Sequence, residues 1–411
     1  MLTDKKILIG IGGGIAVYKV AELARMLTRA GADVRCVMTG SACEFVTPLT
    51  FEALTGNPVH TELFDLTAEQ RMGHITLARW ADAVIIAPAT ANLLARLAHG
   101  IADDLLTTMM QVCEAPVLLA PAMNRSMWES EATQRNFGRL KKRGFYHIGP
   151  ETGELACGEQ GAGRMADIRA ILSALLPLLS DKPLIGQHWV INAGPTVEPW
   201  DGVRILTNRA SGTLGALLAD LACIMGASVT LVAGPGTPES HPGVIRRNVS
   251  TAAEMLSICE LEAAGANLFI GTAAVSDFRF AESHAGKLKR GDSSKMSIEL
   301  VANEDIVAHI ASMPRRPTRV IAFAAESDHH IEHAGAKLAV KNADAIIAND
   351  ISNMGRAAGS SADGNELAGG WWISRHGEQI EIEPGTKLDF ARQIIQHIQQ
   401  MSEMEAREFK R

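Results

Sequence analysis

Several things are missing from this sequence, and each absence removes a class of protein. Six cysteines, at positions 36, 43, 113, 157, 223 and 259, form no CxxC pair and join no histidine at zinc-like spacing. A zinc module is not expected, and most of the thiols read as reduced residues of a cytoplasmic protein. Cys36, in the strand-like ADVRCVMT, and Cys223, in the helical ALLADLACIMG, suit burial. No apolar run approaches the ~20 residues that a spanning helix needs. The opening MLTDKKILIGIGGG lacks the regions of a signal peptide, so no membrane partner is expected. Basic blocks interleaved with aromatics are absent and the formal net charge is −7, which argues against nucleic acid.

What is present is an ordinary globular composition. The 411 residues are 47% hydrophobic and 21% charged, enough for sizeable cores in two or three domains. The runs KKILIGIGGG, ADVRCVMT, ADAVIIAPA and APVLLAPAM are strands apolar enough to be covered on both faces. Longer stretches with helical apolar spacing lie between them, GIAVYKVAELARMLTRAG first. After the loop-like LPLLSDKPLIGQ the rhythm restarts with HWVINAGPT, ASVTLVAGPG, ANLFIGTAAVSDF, RVIAFAAES and ADAIIAND. The expected fold class is therefore α/β, with two doubly wound domains, a flavodoxin-like or Rossmann-like one over 1–184 and a Rossmann-like one over 185–411. The polar stretch RFAESHAGKLKRGDSSKM reads as a mobile insertion, and the charged end MSEMEAREFKR as a fraying terminus.

The loop GIGGGIAVYK points backbone N–H groups at a helix start and so suits an anion. The second strand ends VMTGS, without the acidic residue that a dinucleotide's ribose needs, so a single phosphate such as that of FMN fits better than NAD. By itself the loop is equally a tight strand-to-helix turn. Thr90 and Asn92 follow a strand, where doubly wound folds bind ligands; Asn124, after Pro-Ala-Met, is either a helix cap or a ligand contact. A lone histidine such as His74 is more often structural than catalytic. The run GELACGEQGAGRM, with Cys157 and Arg164, has too little to pack to be core.

Taken in order, GGGIAVYK, MGHITLARWAD, APATANL, PAMNRSMW and ACGEQGAGRM resemble the flavin-containing cysteine decarboxylases, in particular phosphopantothenoylcysteine decarboxylase. The resemblance implies FMN held by Gly12, Gly13, Gly14, Thr39, Ala89, Thr90, Asn92 and Met123. It implies His74 as the active-site histidine, Asn124 as the holder of the substrate carboxylate, and Cys157 as a proton donor on a glycine-rich flap. Arg164 either grips the substrate or anchors the flap. The family often carries Ser where this chain has Gly12.

In the second half, NAGPTVEPWDGVRILTNRASGTLG, GTAAVSDFRF, GKLKRG and AKLAVKNADAIIAND resemble phosphopantothenate–cysteine ligase, which is fused to that decarboxylase in many bacteria. The resemblance implies CTP and Mg2+, the latter held mainly by the nucleotide phosphates, with cysteine and 4′-phosphopantothenate as the other partners. Asn208 would handle the acyl-cytidylate and Lys287 the phosphates. Gly271, Thr272, Ala273, Asp277, Lys289, Glu304, Asp305, Ile306, Val307, Phe323, Lys337 and Lys341 would surround the nucleotide. Ala210 and Thr213 stand where this family carries a serine and a lysine. A paralogue that decarboxylates another cysteine-ended substrate, with weak or no ligation, is the alternative; a non-catalytic flavoprotein is a third reading. The resemblance also implies a homo-oligomer, trimeric through the flavin domains and dimeric through the ligase domains, up to a dodecamer.

Overall fold

The computed structural model describes residues 2–63, 73–154, 158–288, 296–326, 330–350 and 367–408. The chain divides into two compact units, Met1–Asp181 and Lys182–Arg411.

The first unit is built on strands β1 (Lys6–Ile11), β2 (Asp33–Met38), β3 (Val59–His60), β4 (Ala83–Ala89), β5 (Val117–Pro121) and β6 (Tyr146–His147). They form one sheet in the order β3-β2-β1-β4-β5-β6, every neighbouring pair parallel. Strand side chains alternate between faces, and here both faces are buried. Ile7, Ile9 and Ile11 join one core with Ala83 and Ile85, while Leu8 joins the other with Val84 and Ile86. That double coverage is why these strands are continuously apolar. Burying each such side chain contributes roughly 1.5–3 kcal/mol before the entropy of ordering it. An antiparallel hairpin of β7 (Glu151–Glu154) and β8 (Gln160–Arg164) lies outside the main sheet.

The second unit repeats the plan. Strands β9 (His188–Ala193), β12 (Ser228–Ala233), β13 (Ile245–Asn248), β14 (Leu268–Gly271), β17 (Arg319–Glu326) and β18 (Ala345–Asp350) are parallel in the order β13-β12-β9-β14-β17-β18. Strands β19 (Leu367–Ser374) and β20 (Gln379–Thr386) extend the sheet antiparallel. Two short hairpins stand apart, β10 (Val197–Pro199) with β11 (Ile205–Thr207) and β15 (Phe278–Phe280) with β16 (Leu300–Ala302).

The polar insertion read from the sequence thus lies between the paired strands β15 and β16, and its residues 289–295 lie outside those described. The final helix runs Lys387–Glu408, and Phe390, Ala391, Ile394, Ile395 and Ile398 bury on one face of its first half, ahead of the charged end. In both sheets the strand order reverses between the first parallel strand and the fourth, β1 and β4 in one and β9 and β14 in the other. A crevice opens at such a switch point, outside the carboxyl ends of the strands.

Candidate functional site

In the first unit the switch point lies between β1 and β4, and the loop Gly12–Ala16 fills it. A Cβ on Gly12 would stand 2.3 Å from the Pro88 carbonyl oxygen, and one on Gly13 equally close to Ser41 Cβ. The serine common in the family at position 12 would therefore need the loop or the end of β4 to shift in this chain. Val17 N–H donates to Gly14 at 3.0 Å, opening the 13-residue helix Val17–Arg29. Among the described residues, no carbonyl accepts from the N–H groups of Gly13, Gly14 and Ile15. These are the donors that a phosphate needs.

The other residues expected around a flavin surround this loop. Thr39 is buried, donates its hydroxyl to the Ile11 carbonyl at 3.2 Å and caps the turn Gly40–Cys43, so its side chain fastens the end of β1. Thr90 caps the helix Ala91–His99, with its methyl 3.5 Å from where a Gly14 Cβ would lie. Ala89 is fully buried and accepts at its carbonyl from Ala122 N–H at 3.2 Å. Asn92 is exposed on the first turn of that helix. Met123 N–H donates to Gly163 of the hairpin at 2.9 Å, and Asn124 follows directly.

Asn124 caps the short helix Arg125–Glu129 by accepting Ser126 N–H at 2.7 Å, and its Nδ2 donates to Glu159 Oε2 at 2.8 Å. Gly163 takes φ +147°, and a Cβ there would lie 2.3 Å from the Met123 carbonyl oxygen. Only glycine lets β8 come this near the Asn124 loop. The hairpin is thereby brought onto that loop. Cys157 lies outside the described residues. Arg164 is exposed at the far end of β8, opposite Glu151. His74 is half-buried and begins the helix His74–Trp80, whose Leu77 and Ala78 pack in the core beneath β4. The remaining thiols behave as packing groups: burial pushes Cys36 and Cys259 up to about 12, and Cys223 is raised chiefly by burial as well.

In the second unit a cleft of about 180 Å³ opens at the equivalent switch point, beside the ends of β9 and β14. Gly271, Ala273, Asp277, Glu304, Asp305, Ile306, Val307, Phe323 and Lys341 line it, as do Asn192, Val275, Ser276 and Asn303. Asp305 uses both oxygens: Oδ1 caps the helix Ile306–Ser312 through Ala308 N–H at 3.1 Å, and Oδ2 accepts from Lys341 Nζ at 2.5 Å. Burial opposes ionisation of this carboxyl, but the Lys341 ammonium and the helix N–H groups outweigh it and hold it below the usual carboxylate range. Glu304 pairs with His309 at 2.5 Å.

Other expected nucleotide residues take different places. Thr272 gives its hydroxyl to the Asn192 carbonyl at 2.5 Å. Asn208 donates to the carbonyls of Ala274 at 3.3 Å and Val275 at 3.0 Å, next to the cleft wall. Lys287 is exposed, on a segment pinned where Leu288 N–H meets Asp201 Oδ2 at 3.1 Å. Lys337 is exposed one helical turn before Lys341 and does not line the cleft; Lys289 lies outside the described residues. Asn192, Ser276 and Asn303 escape a reading of the sequence. An asparagine inside the apolar strand VINAG is the one signal that marks the first, because a polar side chain there needs a buried partner, which Ala273 N–H supplies at 3.0 Å.

Comparison with known proteins reinforces this picture. Residues 1–180 match the Flavoprotein family, and residues 184–401 match the DNA/pantothenate metabolism flavoprotein C-terminal domain. Coenzyme A biosynthesis bifunctional protein CoaBC from Vibrio cholerae is 45% identical, covering 91% of this chain and 94% of its own length. The same-named protein of Escherichia coli K12 is 43% identical over 89% of this chain and 90% of its own. That of Bacillus subtilis is 39% identical over 98% of each. With both family models matched in order, and such relatives aligned over nearly their whole length, this chain belongs to the bifunctional enzymes of coenzyme A biosynthesis.

Proposed function

We propose that the second unit joins 4′-phosphopantothenate to cysteine using CTP, and that the first unit decarboxylates the product to 4′-phosphopantetheine using FMN. The observation that carries this reading is the placement of a polar, residue-specific constellation at the switch point of each sheet. In the first unit the open N–H groups of Gly13–Ile15 fit a flavin's phosphate. FMN, when bound, supplies the two-electron exchange with the substrate thiol that makes loss of CO2 possible. The chain's own residues then do the rest. Asn124 orients the carboxylate through Nδ2, the β7–β8 hairpin shields it from water, and the Cys157 thiol delivers a proton to the decarboxylated product. His74 takes its place beside the substrate.

In the second unit Lys341, Asn208 and Lys287 serve the nucleotide and the acyl-cytidylate. Mg2+ enters with the triphosphate and is held mainly by its oxygens; among the described residues, no three acidic, histidine or cysteine side chains gather to hold a metal by themselves. Thr213, where lysine is common, shares a 2.9 Å hydrogen bond with Ser211 at the opening of the helix Thr213–Ile224, so the helix opening presents two neutral hydroxyls instead of a cation. Ile15, Tyr18, Phe45 and Leu49, all exposed around the glycine loop, suit burial against another copy and support a homo-oligomer. Among the described residues no helix is long and apolar enough to cross a membrane, in keeping with work in the cytoplasm.

One assay tests both halves: CTP, cysteine and 4′-phosphopantothenate are supplied, and pyrophosphate and CO2 are followed separately. The purified protein is expected to be yellow and to release both. A colourless protein that releases no CO2 from preformed phosphopantothenoylcysteine would sink the decarboxylase assignment, and no pyrophosphate from CTP, cysteine and 4′-phosphopantothenate would sink the ligase. Cys157→Ser is expected to stall turnover after CO2 release; normal yield of 4′-phosphopantetheine from that variant would remove Cys157 from the mechanism.

A further inference from the structure

The amide of Asn124 is already engaged by a carboxylate. Its oxygen is committed to capping, accepting Ser126 N–H at 2.7 Å, and that bond fixes which end of the amide is which. The other end, Nδ2, can only donate, and it donates to Glu159 Oε2 at 2.8 Å, 35 residues along the chain. Glu159 directly precedes β8, and β8 is clipped to the same loop where Met123 N–H meets the Gly163 carbonyl at 2.9 Å. Gly161 lies against the side chain of Arg125. The exposed Arg125 guanidinium is held charged first by its hydrogen bond to Glu129 and in smaller part by Glu159.

We propose that Glu159 is an internal counterpart of the substrate's carboxylate: it occupies the donor that the substrate must take over, and reclaims it once CO2 has left. This rests on the assignment of Asn124 to the substrate carboxylate. The chemistry of the exchange is symmetrical, one carboxylate on one amide N–H, so binding of the acid requires Glu159 to let go. The decarboxylated product carries no such group and has nothing with which to hold Asn124 against Glu159. The hairpin would thus bind a ligand that still bears its carboxylate less tightly than its contacts suggest, and would leave the affinity for one that has lost it unchanged. Glu159 is a positioning residue here, acting through Asn124.

The test uses the full-length flavin-loaded enzyme. Because Glu159 is exposed, its replacement leaves both cores intact. Glu159→Gln keeps the shape and removes the charge that strengthens the bond, so KM for phosphopantothenoylcysteine should fall roughly three- to tenfold. The inhibition constant of 4′-phosphopantetheine should stay unchanged. In an Asn124→Ala background, Glu159→Gln should no longer alter KM. An unchanged or higher KM in Glu159→Gln, an equal shift for acid and product, or a persistent effect without the Asn124 amide would each overturn the proposal. Asn124→Ala alone separates the two layers of the argument. If it leaves KM for the acid untouched, the assignment of Asn124 fails and takes the proposal with it; if KM rises but Glu159→Gln is silent, only the proposal fails.

Discussion

The Asp305–Lys341 pair shows how a single contact sets a measurable dependence. The Asp305 carboxyl titrates below its usual range because Lys341 and two helix N–H groups favour its charged form over the burial that opposes it. A folded pKa below the unfolded one, near 4, means that this contribution to stability is complete above that unfolded value. It is lost as pH falls through the lower folded value. Asp305→Asn should therefore flatten the acid limb of the stability curve, read as the urea midpoint between neutral and strongly acidic pH, and an unchanged limb would show that the pair is too well solvated to matter. Lys341→Met removes the one cation lining the cleft among the described residues. KM for CTP should rise about tenfold with a smaller change in kcat, the loss of roughly one charge-assisted contact. The resemblance named both residues but not that they meet, and it is the folded chain that sets them together across 36 positions.

Among the elements, the parallel strands were the most legible, since a strand covered on both faces must be apolar at every position. ADAVIIAPA reads as a strand and all seven residues of β4 are buried. The β7–β8 hairpin is glycine-rich and charged, and β10, β11, β15 and β16 are too short to show a period, so nothing in the sequence announces them. In the antiparallel pair β19–β20 the run QIEIE does alternate with period two, a strand signal that the apolar-run reading passes over. The glycine loop was legible as a turn, but its tightness was not. Gly12→Ser would force a Cβ to within 2.3 Å of the Pro88 carbonyl oxygen, a backbone atom that cannot swing aside. The expected cost is about 1–3 kcal/mol, seen as a lower melting temperature and a lower flavin content. A variant as stable and as yellow as the parent would show that β4 can yield.

At the level of the whole molecule, each unit has its own doubly wound sheet and its own cores, so each should fold without the other. Expressed separately, residues 1–181 should retain flavin and release CO2 from preformed substrate, and residues 182–411 should release pyrophosphate from CTP. Each activity should stay within several-fold of the full chain. Loss of either on separation would mean that the units depend on one another.

By itself, the sequence determined the class of the fold, the repetition of its plan and the glycine loops at the strand ends. These are consequences of local rules: apolar strands between amphipathic helices, glycine at strand ends, and motifs whose residues lie within a few positions of one another. Only the tertiary structure decided which side chains meet. It set Asn124 against Glu159 and Asp305 against Lys341, turned the hydroxyl of Thr272 onto the Asn192 carbonyl, and left Lys287 and Lys337 off the cleft wall. Such pairings depend on how strands order and loops pack, and a periodicity along the chain carries no record of distance across it.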